Sequence, residues 1–274
     1  MASDGGIFAF GDAAFAGSTG ALTLAQPILG MAATPTGGGY WVLASDGTLF
    51  PFGSAPDVGS PPGATGAVAV AATPSGRGLW VATTDGRVFA RGDAPTLGSL
   101  AGRPLNRPIV GMAATPTGAG YWLVAADGGV FAFGDAVFAG ALAGTPLTSP
   151  VAGIAPQANG LGYWLVTAAG KLHPFMDRGS GLFPARPGPG ARPNAGPGAR
   201  SGFGPGARFG AGPVDHLTLN RPVVGIAGLS TDFGGWLIAA DGGVFSFGTA
   251  RFFGAGATTP LPAPVVAVAP LLEE

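Results

Sequence analysis

Gly-Tyr-Trp-Leu-Val-Ala-Ala-Asp-Gly, at residues 120–128, recurs at 39–47 and in weaker copies at 78–86, 162–170 and 234–242. The tryptophans of these copies are Trp41, Trp80, Trp122, Trp164 and Trp236. Their spacings of 39, 42, 42 and 72 residues define a repeat of about 42 residues with one insertion of about 30. The chain also contains 52 glycines and 27 prolines. Such a composition without a period is typical of disorder, and the period therefore argues against disorder for most of the chain.

Each repeat contains four short apolar runs separated by turn residues. The first run has six copies, which begin at residues 28, 68, 109, 151, 223 and 265. The second run is the tryptophan phrase, which ends in Asp-Gly in most copies, a strong hairpin signal. The third run also has six copies, at Phe8/Phe10, Phe50/Phe52, Phe89/Arg91, Phe131/Phe133, His173/Phe175 and Phe245/Phe247. The fourth is a brief Phe-Ala-Gly segment at Phe15, Phe138, Phe209 and Phe253.

Four short antiparallel strands per repeat, in about six repeats, are the pattern of an all-β fold of the β-propeller type. The chain begins on the end of a second run, at Ala2-Ser-Asp-Gly, and finishes after a first run, at 265–269. We therefore predict one six-bladed domain over residues 1–274, with one blade assembled from both ends. That blade has no Tyr-Trp-Leu-Val run, and only Leu271 and Leu272 stand in its place. The alternative is a fragment of a longer β repeat array.

The insertion lies in the fifth repeat, at residues 178–207, and is rich in glycine, proline and arginine. Gly-Pro-Gly-Ala-Arg occurs at 188–192, 196–200 and 204–208. This composition cannot build a packed core, so we predict a mobile loop. Its arginines could contact an acidic partner, but a tolerated surface expansion, which costs little loop entropy, is the favoured interpretation.

Residues 120–136, preceded by Pro-Ile-Val-Gly-Met-Ala-Ala-Thr-Pro-Thr-Gly at 108–118, resemble the tandem repeats of actinobacterial surface and secreted proteins. In that family the repeats often accompany a separate hydrolase or cell-wall domain. The resemblance implies a propeller-like accessory module in an extracellular setting and carries over no catalytic residues. The N-terminal residues lack the basic start and the apolar run that are typical of a secretory signal.

The chemistry of the chain favours binding over catalysis. The chain has no cysteine and two histidines, and its only glutamates are the last two residues. The aspartates recur at equivalent turn positions, where turn hydrogen bonding is expected and where the spacing of a calcium loop is missing. His173 fills an aromatic position of the third run, and His216 follows the insertion. We therefore predict no enzyme activity, no metal site and no cofactor.

The predicted function is a non-catalytic binding or scaffolding module for cell-wall glycan or a surface protein. The residues predicted to bind are three tyrosines that could stack on sugars and four arginines of the insertion: Tyr40, Tyr121, Tyr163, Arg186, Arg192, Arg200 and Arg208. One alternative is a structural subunit that docks into a larger extracellular assembly, or an oligomer, through the arginine-rich loop. A propeller hydrolase is disfavoured. A net charge of −1 gives no reason to expect specific nucleic-acid binding. The prolines and glycines within residues 108–126 argue against a transmembrane helix.

Overall fold

Every regular element in the described part of the chain is a β-strand. The computed structural model describes residues 1–176, 219–229, 233–256 and 261–270. Its strands, in chain order, are β1 (Ile28–Ala33), β2 (Gly39–Ala44), β3 (Leu49–Gly53), β4 (Ala67–Ala72), β5 (Gly78–Thr83), β6 (Val88–Gly92), β7 (Ile109–Ala114), β8 (Gly120–Ala125), β9 (Val130–Gly134), β10 (Val151–Pro156), β11 (Gly162–Thr167), β12 (Leu172–Met176), β13 (Val223–Gly228), β14 (Gly234–Ala239) and β15 (Val244–Gly248).

The strands form five three-stranded antiparallel sheets, one for each tryptophan repeat: β1–β3, β4–β6, β7–β9, β10–β12 and β13–β15. The order within each sheet follows the chain, because tight turns join consecutive strands. The same register recurs in every sheet, so that Trp122 lies opposite Ala113 on one side and Ala132 on the other. The predicted all-β repeat fold is therefore confirmed.

The middle strand of each sheet is the most deeply buried. Every residue of β2, β5, β8 and β11 is buried. In the three inner sheets both faces of this strand are apolar because each of these sheets packs against a neighbouring sheet on either side. The third strand is only half-buried and ends exposed at its last residue in most sheets. The core thus consists of clusters between successive sheets, built around the tryptophans.

Successive sheets are joined at their first strands. Gly111 of β7 and Gly153 of β10 allow this approach, since a Cβ at Gly111 would lie 3.4 Å from Ile154 Cγ2 and one at Gly153 would lie 3.2 Å from Ile226 Cγ2. One backbone hydrogen bond recurs at each joint, from the first residue of a sheet to the turn after the preceding middle strand. It links Ala67 to Ser45 (3.0 Å), Ile109 to Thr84 (2.9 Å), Val151 to Ala126 (2.9 Å) and Val223 to Ala168 (2.9 Å).

The two ends of the described chain continue this pattern. Ala2 forms an antiparallel bridge with Val265, and the amide of Ser3 donates to the carbonyl of Pro264 at 2.9 Å. The joint bond also occurs from Val265 N–H to Ala240 O (2.9 Å) and from Ile28 N–H to Ser3 O (3.0 Å). The hydrogen bond that joins successive sheets therefore recurs at both terminal segments of the described chain.

The prediction of a fourth strand in each repeat is wrong for the described copies. Phe15, Phe138 and Phe253 lie in segments with no strand structure. The carbonyls of these segments instead accept bonds from side chains, as when Trp122 Nε1 donates to Val137 O at 2.8 Å. This bond has its equivalent between Trp236 Nε1 and Arg251 O at 2.7 Å. In the repeat that contains β13–β15, the equivalent of Phe138 is consequently Phe252, not Phe253.

The predicted mobile insertion at 178–207 lies outside the described residues. The described residues include no helix long and apolar enough to cross a membrane.

Candidate binding cleft

An apolar cleft of about 380 Å³ lies where the ends of the chain meet the first and fifth sheets. Its wall on the fifth sheet includes Trp236 and Ile238 of β14, and its wall on the first sheet includes Met31 of β1 and Tyr40 of β2. Between the walls lie two chain segments, residues 7–10 and residues 267–270. A concave, mostly apolar pocket is the usual form of a binding site.

The two segments are a third run and a first run of the repeat. Residues 7–10, Ile-Phe-Ala-Phe, match Val-Phe-Ala-Phe of β9, and Val265 aligns with the first residues of β10 and β13. Neither residues 7–10 nor residues 266–270 are in a strand. In each of the five sheets a middle strand separates the first and third strands. Met1 and Ala2 hold the end of the corresponding position between the terminal segments, where Ala2 bridges Val265, and the cleft occupies the rest of it.

The aromatic side chains around the cleft are more exposed than their equivalents elsewhere. Trp236 is half-buried, whereas Trp41, Trp80 and Trp122 are completely buried. Phe8 and Phe10 are 38% and 37% exposed. Exposed apolar surface next to a pocket is typical of an interaction site, so these residues extend the apolar surface beyond the cleft.

The N-terminal ammonium lies at the inner end of the cleft. It donates to the carbonyl of Ala267 at 3.1 Å, and the Met1 residue is buried among Ile28, Tyr40 and Val42. Burial lowers the pKa of the Met1 ammonium from 8.0 to about 6, and the nearby Asp4 carboxylate offsets part of the effect. At pH 7 the Met1 ammonium is therefore largely deprotonated.

This depressed pKa predicts a pH dependence of stability. Between pH 6 and 8 the unfolded terminus binds a proton that the folded terminus has mostly released, so the free energy of unfolding rises with pH. We expect the free energy of unfolding to increase by about 2 to 3 kcal/mol between pH 6 and 8 and to stay constant above pH 8. Urea unfolding at a series of pH values measures this increase. Histidines also titrate here as a class, so the control carries His173→Gln and His216→Gln. Stability that is flat or falls from pH 6 to 8 in this control would contradict the prediction.

The three tyrosines predicted to bind sugars are buried in the sheet stack. Tyr121 and Tyr163 are completely buried and Tyr40 is 5% exposed. Their hydroxyls donate to the carbonyls of Gly98, Gly140 and Gly17, respectively. Desolvation raises the pKa of Tyr121 to about 12, as expected for a phenol that stays protonated in the core. The buried rings of Tyr121 and Tyr163 leave no face for a sugar, and only Tyr40 reaches the cleft.

The four arginines predicted to bind an acidic partner lie outside the described residues, as does His216. These arginines are Arg186, Arg192, Arg200 and Arg208.

The turn aspartates form the hydrogen bonds that the sequence predicts. Asp127 and Asp241 each accept a hydrogen bond from the backbone N–H two residues ahead, at 3.0 Å. Hydrogen bonds from Ser75 and Thr73 lower the pKa of Asp93. His173 is half-buried on β12 opposite Leu165. Within the described ranges, no three His, Cys, Asp or Glu side chains group as metal ligands.

The cleft was not among the sites predicted from the sequence, although a signal for it was present. The repeat assembled from both ends has a first run and a third run but no Tyr-Trp-Leu-Val run. Among the described residues, that difference marks the place where a first run and a third run lie without a complete middle strand between them.

Comparison with protein-family models and with curated protein sequences finds no match for this chain.

Proposed function

We propose that the chain is a non-catalytic binding module built as a six-bladed β-propeller, which binds a polypeptide partner in the cleft. The blade count is supported by the joint hydrogen bond, which recurs six times, the last two through Ser3 and Val265. A ring is the arrangement in which each unit covers both faces of its neighbours and leaves only short edges.

The cleft itself carries the functional part of the proposal. Its walls include tryptophan, tyrosine, methionine and isoleucine side chains, and Asp12 and Thr36 add few polar groups to the lining, whereas a glycan site needs several convergent polar groups for the sugar hydroxyls. Aromatic and methionine side chains are also enriched at protein interfaces. Between the walls run the two terminal segments outside any strand, which suit an extended polypeptide that bonds through its backbone. A polypeptide is therefore favoured over a cell-wall glycan.

An extracellular or cell-surface location on an actinobacterial cell wall belongs to the same proposal. It rests on the resemblance of residues 108–136 to the repeats of surface and secreted proteins. The partner in this setting is a surface or secreted protein.

The function is tested on arrays that carry random-sequence peptides beside cell-wall glycan fragments. The cleft is blocked by Ala269→Arg, since Ala269 lines it. The matched control is Ala101→Arg at an exposed turn. We expect the unmodified protein to bind a subset of apolar peptides, with a loss of about tenfold or more in Ala269→Arg and none in Ala101→Arg. Binding to glycans alone, or peptide binding that Ala269→Arg leaves intact, would overturn the proposal.

A further inference from the structure

The third strand of each sheet has one edge that pairs with no other strand in the described part of the chain. In β9 the groups on this edge follow from the ladder with β8, in which Ala125 N–H donates to Gly129 O at 2.8 Å. Bonded and non-bonded pairs alternate between antiparallel strands. Ala132, opposite Trp122, is therefore in a non-bonded pair, as is Val130. The N–H and C=O groups of Ala132 and Val130 consequently point outward.

The same central position is closed in three of the other sheets. In β3 and β12 it is held by Pro51 and Pro174, which have no N–H to donate. In β6 it is held by Ala90, whose carbonyl already accepts a hydrogen bond from Arg91 Nη1 at 3.1 Å. Proline and charged side chains are the usual protection of an exposed edge against pairing. The edges of β3, β6 and β12 are therefore unsuited to a further strand.

The central position is open in β9 and β15, where it is held by Ala132 and Ser246. In the described ranges the outward groups of these two residues form no backbone hydrogen bond. The two edges differ in the segment that follows the strand. The residue that accepts the tryptophan indole is Val137 after β9 but Arg251, which is exposed, after β15. Because a charge beside an edge opposes pairing with a copy that carries the same charge, β9 is the better suited of the two.

The open edge of β9 is complementary to a second copy of itself. In an antiparallel pair with a two-fold axis at Ala132, the N–H of each Ala132 faces the C=O of the other. Val130 of each copy then lies opposite Gly134 of the other. On one face of the joined sheets, Phe131 of each copy lies next to Phe133 of the other, and cross-strand aromatic pairs stabilise a sheet.

The charged residue that follows β9 is held within its own chain. Asp135 accepts hydrogen bonds from Thr115 Oγ1 at 2.9 Å and from Thr117 Oγ1 at 2.5 Å. Both threonines belong to the turn that joins β7 to β8, so they hold the carboxylate toward the opposite edge of the sheet. The charge of Asp135 is therefore directed away from the edge that would pair.

We propose that the chain forms a two-fold symmetric dimer in which the outer edges of two β9 strands pair and join two three-stranded sheets into one. The occupant of the edge is a second copy of this chain, because the open groups of each copy satisfy those of the other. A two-fold contact uses the β9 edge of both copies and is closed. The contact includes no residue that lines the cleft, so this inference is independent of the proposed function.

Sedimentation equilibrium of the intact protein over a series of concentrations measures the dimer, and Ala132→Pro removes the central amide. Proline at the equivalent position of β3 and β12 leaves the register unchanged, so we expect the variant to fold. The matched control is Ser246→Pro, at the same position of β15. We expect the unmodified protein and Ser246→Pro to dimerise equally. In Ala132→Pro the dissociation constant of the dimer should rise about tenfold or more.

Amide hydrogen exchange of the unmodified protein is a second measurement, which needs no substitution. We expect exchange at Val130 and Ala132 to slow as the protein concentration rises, and exchange at Val244 and Ser246 to stay constant. A monomer at every concentration, an equally tight dimer in Ala132→Pro, or exchange at Ala132 that is independent of concentration would overturn the proposal. Loss of the dimer in Ser246→Pro alone would assign the contact to β15 and also overturn it. A monomer whose Ala132 amide is protected by an added peptide would identify another polypeptide as the occupant, with the same consequence.

Discussion

Trp122→Ala is expected to lower the free energy of unfolding by about 3 to 5 kcal/mol, the range for removing a large buried aromatic side chain. Trp122 is completely buried, donates its indole N–H to Val137 O at 2.8 Å and packs on Tyr163 with centroids 5.5 Å apart. Alanine would remove all three contributions and leave a cavity between two sheets. Urea unfolding followed by far-ultraviolet circular dichroism measures the loss.

The matched control is Trp236→Ala. Trp236 makes the same bond, to Arg251 O at 2.7 Å, but it is half-buried on the cleft wall and faces Phe253 at 6.3 Å instead of a tyrosine. We expect a loss of about 1 to 2 kcal/mol, because less apolar area leaves water on folding. Equal losses in the two variants would show that the wall of the cleft is as closed as the interfaces between complete sheets.

Gly120→Ala is the second change with a large expected effect, a loss of about 3 kcal/mol, the upper end of what overpacking costs. The added Cβ would meet Asp135 Oδ1 at 2.3 Å, Ala136 N at 2.5 Å and Phe133 O at 2.7 Å. Two of these atoms belong to the backbone of the next turn and cannot rotate away. The cost therefore comes from contact at a site where the middle strand and the end of the third strand touch.

Gly225→Ala is the control for this change. Gly225 lies in β13, and its nearest contact for an added Cβ is Val268 Cγ1 at 3.6 Å, an ordinary van der Waals distance. We expect a change within about 1 kcal/mol. The urea midpoints of unfolding of the Gly120→Ala and Gly225→Ala proteins, measured under the same conditions, test this difference. A Gly120→Ala protein as stable as Gly225→Ala would mean that the turn at 133–136 yields easily.

The sequence predicted the repeated sheets because the signals involved are local. Asp127 and Gly128 form the predicted turn between two apolar runs, and Asp127 accepts the amide of Gly129. The tryptophan period marks the middle strands because only a strand buried on both faces needs a large apolar side chain at the same place in every repeat. His173 lies in the predicted third strand, β12.

Other features could not be read from the local pattern because they depend on neighbours distant in the chain. The Phe-Ala-Gly segments resemble strands in composition, but their backbone carbonyls accept hydrogen bonds from tryptophan indoles and tyrosine hydroxyls instead of from a neighbouring strand. The alternation of side chains along a strand predicts that Tyr121 and Trp122 point to opposite faces of the sheet. It does not show that a neighbouring sheet covers each of these faces. The cleft requires residues 1–10, 236–238 and 265–270 to come together, and that proximity follows only from the stacking of whole sheets.

Amide hydrogen exchange in the presence of an apolar peptide selected on the arrays tests the central claim most directly, because a polypeptide in the cleft would lie against both terminal segments that line it. With this peptide at saturation, we expect slower exchange at residues 7–10 and at 267–269, and unchanged exchange in β7–β9. The Ala269→Arg protein should show no change in these rates when the peptide is added. Binding of the peptide without protection of either terminal segment would contradict a polypeptide site in the cleft.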